Sequence, residues 1–155
     1  MLEEGVKAPG FKLTDEAGKP LDLAKFKGKT VVVYFYPKDD TSGCTAEAKD
    51  FSCLSAEFAA AGAEVIGVSP DSPASHAKFK TKYDLTVRLG ADEDKAAAQA
   101  YGVWVEKSMY GKKYMGVERS TFLIGKDGKI ARIWRKVKVP KHAEEVLEAV
   151  KALKK

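Results

Sequence analysis

Apolar and polar positions alternate along the chain in short blocks separated by turn residues. Phe11-Lys12-Leu13 and Leu21-Asp22-Leu23 each repeat with a period of two, and the stretch from Asp15 to Pro20 holds turn residues. This predicts a small N-terminal hairpin. Phe26-Lys27-Gly28-Lys29 then turns the chain into Val31 to Tyr36, a run that is β-branched or aromatic throughout. Such a run reads as a strand covered on both faces, as at the centre of a parallel sheet. Pro37 stops it, and a polar loop, Lys38 to Gly43, follows. From Cys44 onward the period changes. Ala48, Phe51, Leu54, Phe58 and Ala61 recur at three- and four-residue steps, which predicts one helix with a buried stripe, closed by Gly62. Val65 to Ser69 is the next buried strand, so residues 31 to 69 form a right-handed βαβ unit.

Ser72 and Pro73 supply a cap and a first helical residue for a second helix carrying Ala77, Phe79 and Tyr83. Thr86 to Leu89 reads as a short strand. Asp92 caps a third helix, Asp94 to Tyr101, closed by Gly102. Residues 103 to 118, with Trp104, Met109, Tyr110, Tyr114 and Met115, are the least regular stretch. Ser120 to Ile124 and Lys129 to Trp134 flank Lys126-Asp127-Gly128, a strong hairpin signal. Pro140 opens a last helix striped with Ala143, Val146, Leu147, Val150 and Leu153. The predicted class is α/β: a mixed central sheet flanked by helices, on a thioredoxin-like plan with additions, in a single domain spanning residues 1–155. There are no internal repeats and no low-complexity linker.

With 45% hydrophobic and 32% charged residues the composition is that of a globular chain, and disorder is not expected. No apolar run approaches the roughly 20 residues of a membrane span. The acidic start MLEEGVKAPG does not read as a signal peptide. A cytoplasmic protein without membrane partners is expected. The net charge of +5 comes from scattered lysines and from Arg132, Arg135, Lys136, Lys138 and Lys141. Without a block of like charges or a nucleic-acid-binding signature, it reads as solvated faces. The two cysteines, Cys44 and Cys53, are read as reduced thiols.

Cys44 falls at the first turn of its helix, just past the carboxyl end of the central strand, the edge where open α/β sheets bind ligands. A lone cysteine is commonly core filler. A helix N-terminus changes that, because its free N–H groups and partial positive charge favour an anion. A thiol with a pKa near 8.5 is only a few per cent thiolate at pH 7, and one near 6 is roughly nine-tenths thiolate. Hydroxyls, glycine and charges in the neighbouring loop suggest an accessible site. Thr41-Ser42-Gly43-Cys44 has the spacing of a C-x-x-C motif with its first cysteine replaced, so direct dithiol exchange lacks its second thiol. A single activated thiolate beside a hydroxyl suits attack on an O–O bond to give a sulfenic acid. No metal and no cofactor are expected: His76 and His142 lack ligand spacing and are read as ordinary surface residues.

Pro37-Lys-Asp-Asp-Thr41-Ser-Gly-Cys44 resembles the P-x-x-x-T-x-x-C motif of the peroxiredoxins. The stretches YFYPKDDTSGCTAEAKDF and YGKKYMGVERSTFLIGKDGKI resemble the bacterioferritin-comigratory (PrxQ) subfamily, over nearly the whole chain. The resemblance implies that Cys44 is the peroxidatic nucleophile and that Thr41 hydrogen-bonds peroxide and thiolate. It implies that Arg119 stabilises the thiolate, that Pro37 shields the pocket, and that Glu47 orients the network. Ser42 stands where the family usually has proline, and Lys49 where it commonly has a resolving cysteine. Arg119 also has a physical rationale of its own, since a guanidinium aimed at Cys44 would stabilise charge on sulfur and on the leaving oxygen.

The function expected is reduction of hydrogen peroxide and organic hydroperoxides at the expense of a thiol, serving antioxidant defence and redox homeostasis. The reductant is a thioredoxin, a glutaredoxin or a low-molecular-weight thiol, and a monomer is favoured over a dimer. The alternatives are a thiol-based redox sensor or chaperone-like binding protein, and a disulfide reductase of the same fold. Cys53, nine residues past Cys44 in the same predicted helix, is a possible resolving thiol, but the reading favoured is a partly buried bystander.

Overall fold

The computed structural model describes residues 2–154. In chain order the elements are β1 (Lys12–Asp15), β2 (Pro20–Asp22), a short 3-10 turn (Leu23–Phe26), β3 (Thr30–Phe35), α1 (Ser42–Cys53), α2 (Ser55–Ala60), β4 (Ala63–Ser69), α3 (Pro73–Tyr83), β5 (Arg88–Ala91), α4 (Ala96–Ala100), β6 (Trp104–Met109), β7 (Lys112–Val117), β8 (Ser120–Ile124), β9 (Ile130–Trp134) and α5 (His142–Lys154). One sheet runs β2-β1-β5-β4-β3-β8-β9, and β6-β7 form a separate pair. β3 is parallel to β4 and antiparallel to β8, so the sheet is mixed as expected.

Strand β3 is buried along its whole length because both faces of the sheet are covered. Successive side chains point to opposite faces. Val31, Val33 and Phe35 join a core with the N-terminal hairpin and α4. Val32, Tyr34 and Tyr36 join a second core with the stripes of α1, α2, α3 and α5. Tyr34 stacks on Phe51 of α1 at 4.6 Å and 13°, which seats the helix on the sheet. Gly67, the β4 partner of Tyr34, makes this possible, since a Cβ there would lie 2.6 Å from the Tyr34 ring and hydroxyl.

Several boundaries differ from expectation. The single helix predicted after Cys44 breaks at Leu54 into α1 and α2. There Thr86 bonds across to Ser52 and Ser55, its N–H donating to Ser52 Oγ at 3.0 Å and its hydroxyl pairing with Ser55 Oγ at 2.9 Å. The apolar stripe nonetheless continues, with Phe51 and Phe58 both buried. The strand expected at 86–89 lies at 88–91, where it pairs with β1 as well as β4. The third helix is only Ala96–Ala100 and its N-cap is Lys95, not Asp92, although the Asp92 carboxylate reaches the first turn and accepts from the N–H groups of Ala97 and Ala98. Leu153 is exposed, unlike the rest of its stripe.

The stretch expected to be least regular is the β6-β7 hairpin. Its two-residue turn, Tyr110-Gly111, has positive φ at both residues (52° and 78°), the conformation a tight hairpin requires. Gly111 suits its position, but tyrosine seldom adopts the conformation at the first, so the turn carries only half of the usual sequence signal. Tyr110 is 97% exposed and its side chain meets no crowding there.

Both histidines are buried, contrary to expectation. His142 begins α5 on the same stripe as Val146 and Val150, packs edge-on against Phe51 and Trp134, and bonds Thr121 Oγ1 at 2.8 Å. Burial holds its imidazole down at about 4. The native ring therefore stays neutral while the unfolded ring, with an ordinary pKa near 6.5, takes up a proton as pH falls. Stability from this group is complete above about 6.5 and is lost as pH drops toward about 4. In urea titrations, the midpoint of the wild type is expected to fall toward that of His142→Gln as the pH is lowered from neutrality. A gap independent of pH would contradict this.

Candidate active site

Strand β3 ends at Phe35, and Tyr36 donates one further bond from its main chain to the Val68 carbonyl. Pro37, half-buried, has no N–H with which to continue the ladder. The loop that follows turns sharply at Asp40, whose φ is 61°, and Thr41 becomes the N-cap of α1 in an extended conformation. The first helical bond runs from Thr45 N–H to the Thr41 carbonyl at 2.8 Å. The N–H groups of Ser42, Gly43 and Cys44 therefore lie in the turn that has no helical acceptor, the positive end of α1.

Cys44 occupies the third position of that turn. It is 1% exposed, so the thiol is enclosed and not openly accessible as the loop composition suggested. Its place in the stripe with Ala48 and Phe51 turns it inward toward Tyr34 and Tyr36. Arg119 enters from the other side of the sequence, between β7 and β8. Its Nη2 donates to Cys44 Sγ at 3.2 Å, and its Nη1 donates to Glu47 Oε1 at 2.5 Å. The guanidinium fork thus bridges the thiol and the carboxylate one turn along α1. Burial pushes the Glu47 carboxyl up to about 7, against the opposing pull of Arg119.

Cys44, Arg119 and Glu47 are brought together as the sequence suggested, while Thr41 and Pro37 sit on the loop entering the helix. Thr41 Oγ1 donates to the Lys38 carbonyl at 2.9 Å and does not cap the helix. Ser42 is exposed at the first helical position, where proline would also fit. Lys49, at the position of the common resolving cysteine, lies over the Tyr83 ring at 5.0 Å. Cys53 is set apart. It ends α1 and is exposed, not the partly buried filler expected, because it lies off the apolar stripe where the helix stops.

Two residues near the site lie elsewhere than expected from sequence, which puts Gly43 in a loop and His76 on the surface. Gly43 leaves room for the fork, since a Cβ there would lie 3.2 Å from Arg119 Nη2. Sequence carried no signal for this, because the periodicity places Gly43 in the loop and the helix in fact begins one residue earlier, at Ser42. His76 was the other, and its signal was the i, i+3, i+7 spacing His76, Phe79, Tyr83 on one face of α3. Among the described residues, Asp39, Asp71 and His76 alone place three ligating side chains close together. Their facing atoms already bond to one another, to hydroxyls or to the main chain, which does not fit a cation site. Among the described residues, no helix is long and apolar enough to cross a membrane.

Residues 5–133 match the model of the AhpC/TSA family. The chain is 49% identical to peroxiredoxin Bcp of Bacillus subtilis, covering 97% of this chain and 96% of that one. It is 41% identical to peroxiredoxin Bcp of Escherichia coli over similar shares, 97% and 96%. Among solved structures, the Xanthomonas campestris bacterioferritin comigratory protein, described for its alkyl peroxide reduction activity, superposes with a TM-score of 0.92 at 42% identity, covering 99% of this chain and 100% of that one. A match of this extent to the family and to these relatives means that the chain belongs to the AhpC/TSA family, among its Bcp-type peroxiredoxins.

Proposed function

We propose that Cys44 is the nucleophile of a thiol peroxidase acting on hydrogen peroxide and small organic hydroperoxides. The observation that supports it most directly is the Arg119 fork, with one nitrogen on Sγ and the other on a buried carboxylate. The thiolate sulfur attacks the terminal peroxide oxygen, an S–O bond forms as the O–O bond breaks, and the electron pair leaves on the distal oxygen. That oxygen takes a proton and departs as water or alcohol, and Cys44 is left as a sulfenic acid. Charge leaves sulfur and builds on oxygen, so the N–H groups of the first turn of α1 and the Arg119 guanidinium face the changing charge throughout. Thr41 has committed its hydroxyl proton to Lys38, so its oxygen is an acceptor for the proton of an incoming peroxide. Pro37 walls the entrance without offering a competing donor, and Glu47 holds the fork in position.

An external thiol then attacks the sulfenic sulfur, releases water and forms a mixed disulfide, which a second thiol reduces. A thioredoxin- or glutaredoxin-type protein or a small thiol fits this role in a reducing cytoplasm. Cys53 is not the resolving thiol in this reading. Nine helical residues separate it from Cys44, a rise of about 13.5 Å, whereas a disulfide needs Cα atoms within about 7 Å. Joining them would unwind α1 and strip the buried Phe51 from Tyr34. One equivalent of hydrogen peroxide is expected to add one oxygen to Cys44, read by peptide mass spectrometry, in the wild type and in Cys53→Ala alike. Cys53→Ala should also keep near-normal turnover with an external thiol. Loss of turnover with trapped sulfenic acid would make Cys53 the resolving thiol, and oxygen found elsewhere than on Cys44 would overturn the assignment.

A further inference from the structure

Beside the thiol site, the loop that leads into α1 is fastened to α3 by a buried polar cluster. Asp39 lies in that loop, two residues before Thr41. Its Oδ1 accepts from the Tyr36 hydroxyl at 2.6 Å, and its Oδ2 accepts from the Ser75 hydroxyl at 2.8 Å. The same Oδ2 lies 2.7 Å from His76 Nδ1. The other ring nitrogen, His76 Nε2, lies 3.0 Å from the main-chain carbonyl of Gly90 on β5. His76 is 0% exposed. The Asp39 main-chain N–H donates to Asp71 Oδ2 at 2.8 Å, an oxygen that also accepts from the Ser69 hydroxyl.

These contacts dictate where the protons are. A carbonyl has no proton to give, so Nε2 of His76 must carry one. A neutral ring would then present a bare lone pair at Nδ1 to a carboxylate oxygen, and two acceptors would meet. One further proton is therefore held between Nδ1 and Oδ2. The carboxylate already receives two hydroxyl hydrogen bonds, which stabilise its anionic form and place the shared proton on the ring.

We propose that His76 is an imidazolium paired with the Asp39 carboxylate, and that this pair is a positioning device that holds the loop before Cys44 in register for peroxide attack. The fastening continues at the next residue. Asp40, in its left-handed turn, accepts from Lys82 Nζ at 2.7 Å and from the Tyr83 hydroxyl at 2.5 Å, both near the end of α3. Two successive loop residues are thus tied to one rigid helix. The following residue is Thr41, which sets both the hydroxyl facing the peroxide and the start of α1. His76 touches no reacting atom and acts through the loop alone.

The kinetic consequence rests on the reading of Cys44 as the nucleophile, and the protonation state does not. In nitrogen-edited NMR of the wild-type protein, His76 is expected to show protons on both ring nitrogens, and a ring with one bare nitrogen would overturn the proposal. In Asp39→Asn, which keeps the shape but offers no anion, the ring should fall to a single N–H. Sulfenic acid formation should slow about 10- to 100-fold in His76→Gln and in Asp39→Asn, the scale of a small displacement of reacting groups. The double variant should be no slower than either single one, because the two residues act as a unit. Reduction of preformed Cys44 sulfenic acid by a thiol should be unchanged. If both variants fold and keep the wild-type rate, the positioning role fails while Cys44 stands. If the wild type forms no sulfenic acid at Cys44, the nucleophile reading fails and the NMR result still decides the pair.

Discussion

Replacing Cys44 with serine is expected to end peroxide turnover while leaving the fold intact. The two side chains differ by one atom of similar size. The serine hydroxyl can accept from Arg119 Nη2 as the sulfur does, so the fork and its bond to Glu47 have no reason to move. The site is buried among Tyr34, Tyr36, Ala48 and Phe51, and the substitution opens no cavity there worth a methyl group. Only the chemistry changes. A serine hydroxyl is not ionised at neutral pH, and the Glu47 carboxyl has its Oε1 committed to the guanidinium. An un-ionised oxygen is a poor nucleophile toward the weak O–O bond, and it cannot form a stable sulfenic-type product. Peroxide consumption with an excess of thiol, together with thermal unfolding, checks both halves. Turnover above a few per cent of wild type in a well-folded variant would take Cys44 out of the mechanism.

Much of this architecture was legible because each signal was local. The run Val31 to Tyr36 marks a doubly covered strand, and α1 presents its stripe at the expected steps. The position of Cys44 at a helix start follows from the two together. Arg119 is different in kind. No local pattern says where its guanidinium points, and the link to Cys44 rests on the resemblance of the motifs and on the chemical sense of a cation beside a thiolate. Its position depends on β8 pairing with β3, which brings residues 75 apart in sequence to within 3.2 Å. The misreadings share a cause as well. His76 and His142 lack ligand spacing and read as ordinary surface residues, but each has a bonding partner supplied by another segment, Asp39 and Gly90 for one and Thr121 for the other. Burial of a polar side chain is decided by such partners, and a stripe that includes a histidine at the right spacing is the one warning available in sequence. The β6-β7 turn is harder still, because its tyrosine at positive φ runs against residue preference.

Arg119→Met carries the second large effect. Methionine fills a similar length, so the pocket wall stays while the cation and its two donors go. Removing one preorganised donor to a developing oxyanion costs on the order of 10²–10³ in rate. Here the lost group also faces the thiolate, so sulfenic acid formation is expected to slow by at least about 100-fold. Arg119→Lys should lie between, because an ammonium can reach either Sγ or Glu47 Oε1 but lacks the fork that spans both. The variant has a second signature at Glu47. Burial already raises that carboxyl to about 7 with Arg119 opposing the rise, so removal of the arginine moves it further up. A carboxyl whose native pKa lies above its unfolded value holds a proton that the unfolded chain has released, and stability declines as pH rises between the two. In the wild type that decline runs from the ordinary carboxylate range and levels off near about 7. In Arg119→Met it should continue to higher pH, because the unpaired buried carboxylate must then be ionised without a partner. Stopped-flow kinetics at fixed pH and urea midpoints across the neutral to alkaline range read the two effects separately. An unchanged peroxide rate would mean that the guanidinium does not serve the thiolate, whatever the midpoints show. A slowed rate with parallel stability profiles would leave the role at Cys44 intact and remove the coupling to Glu47.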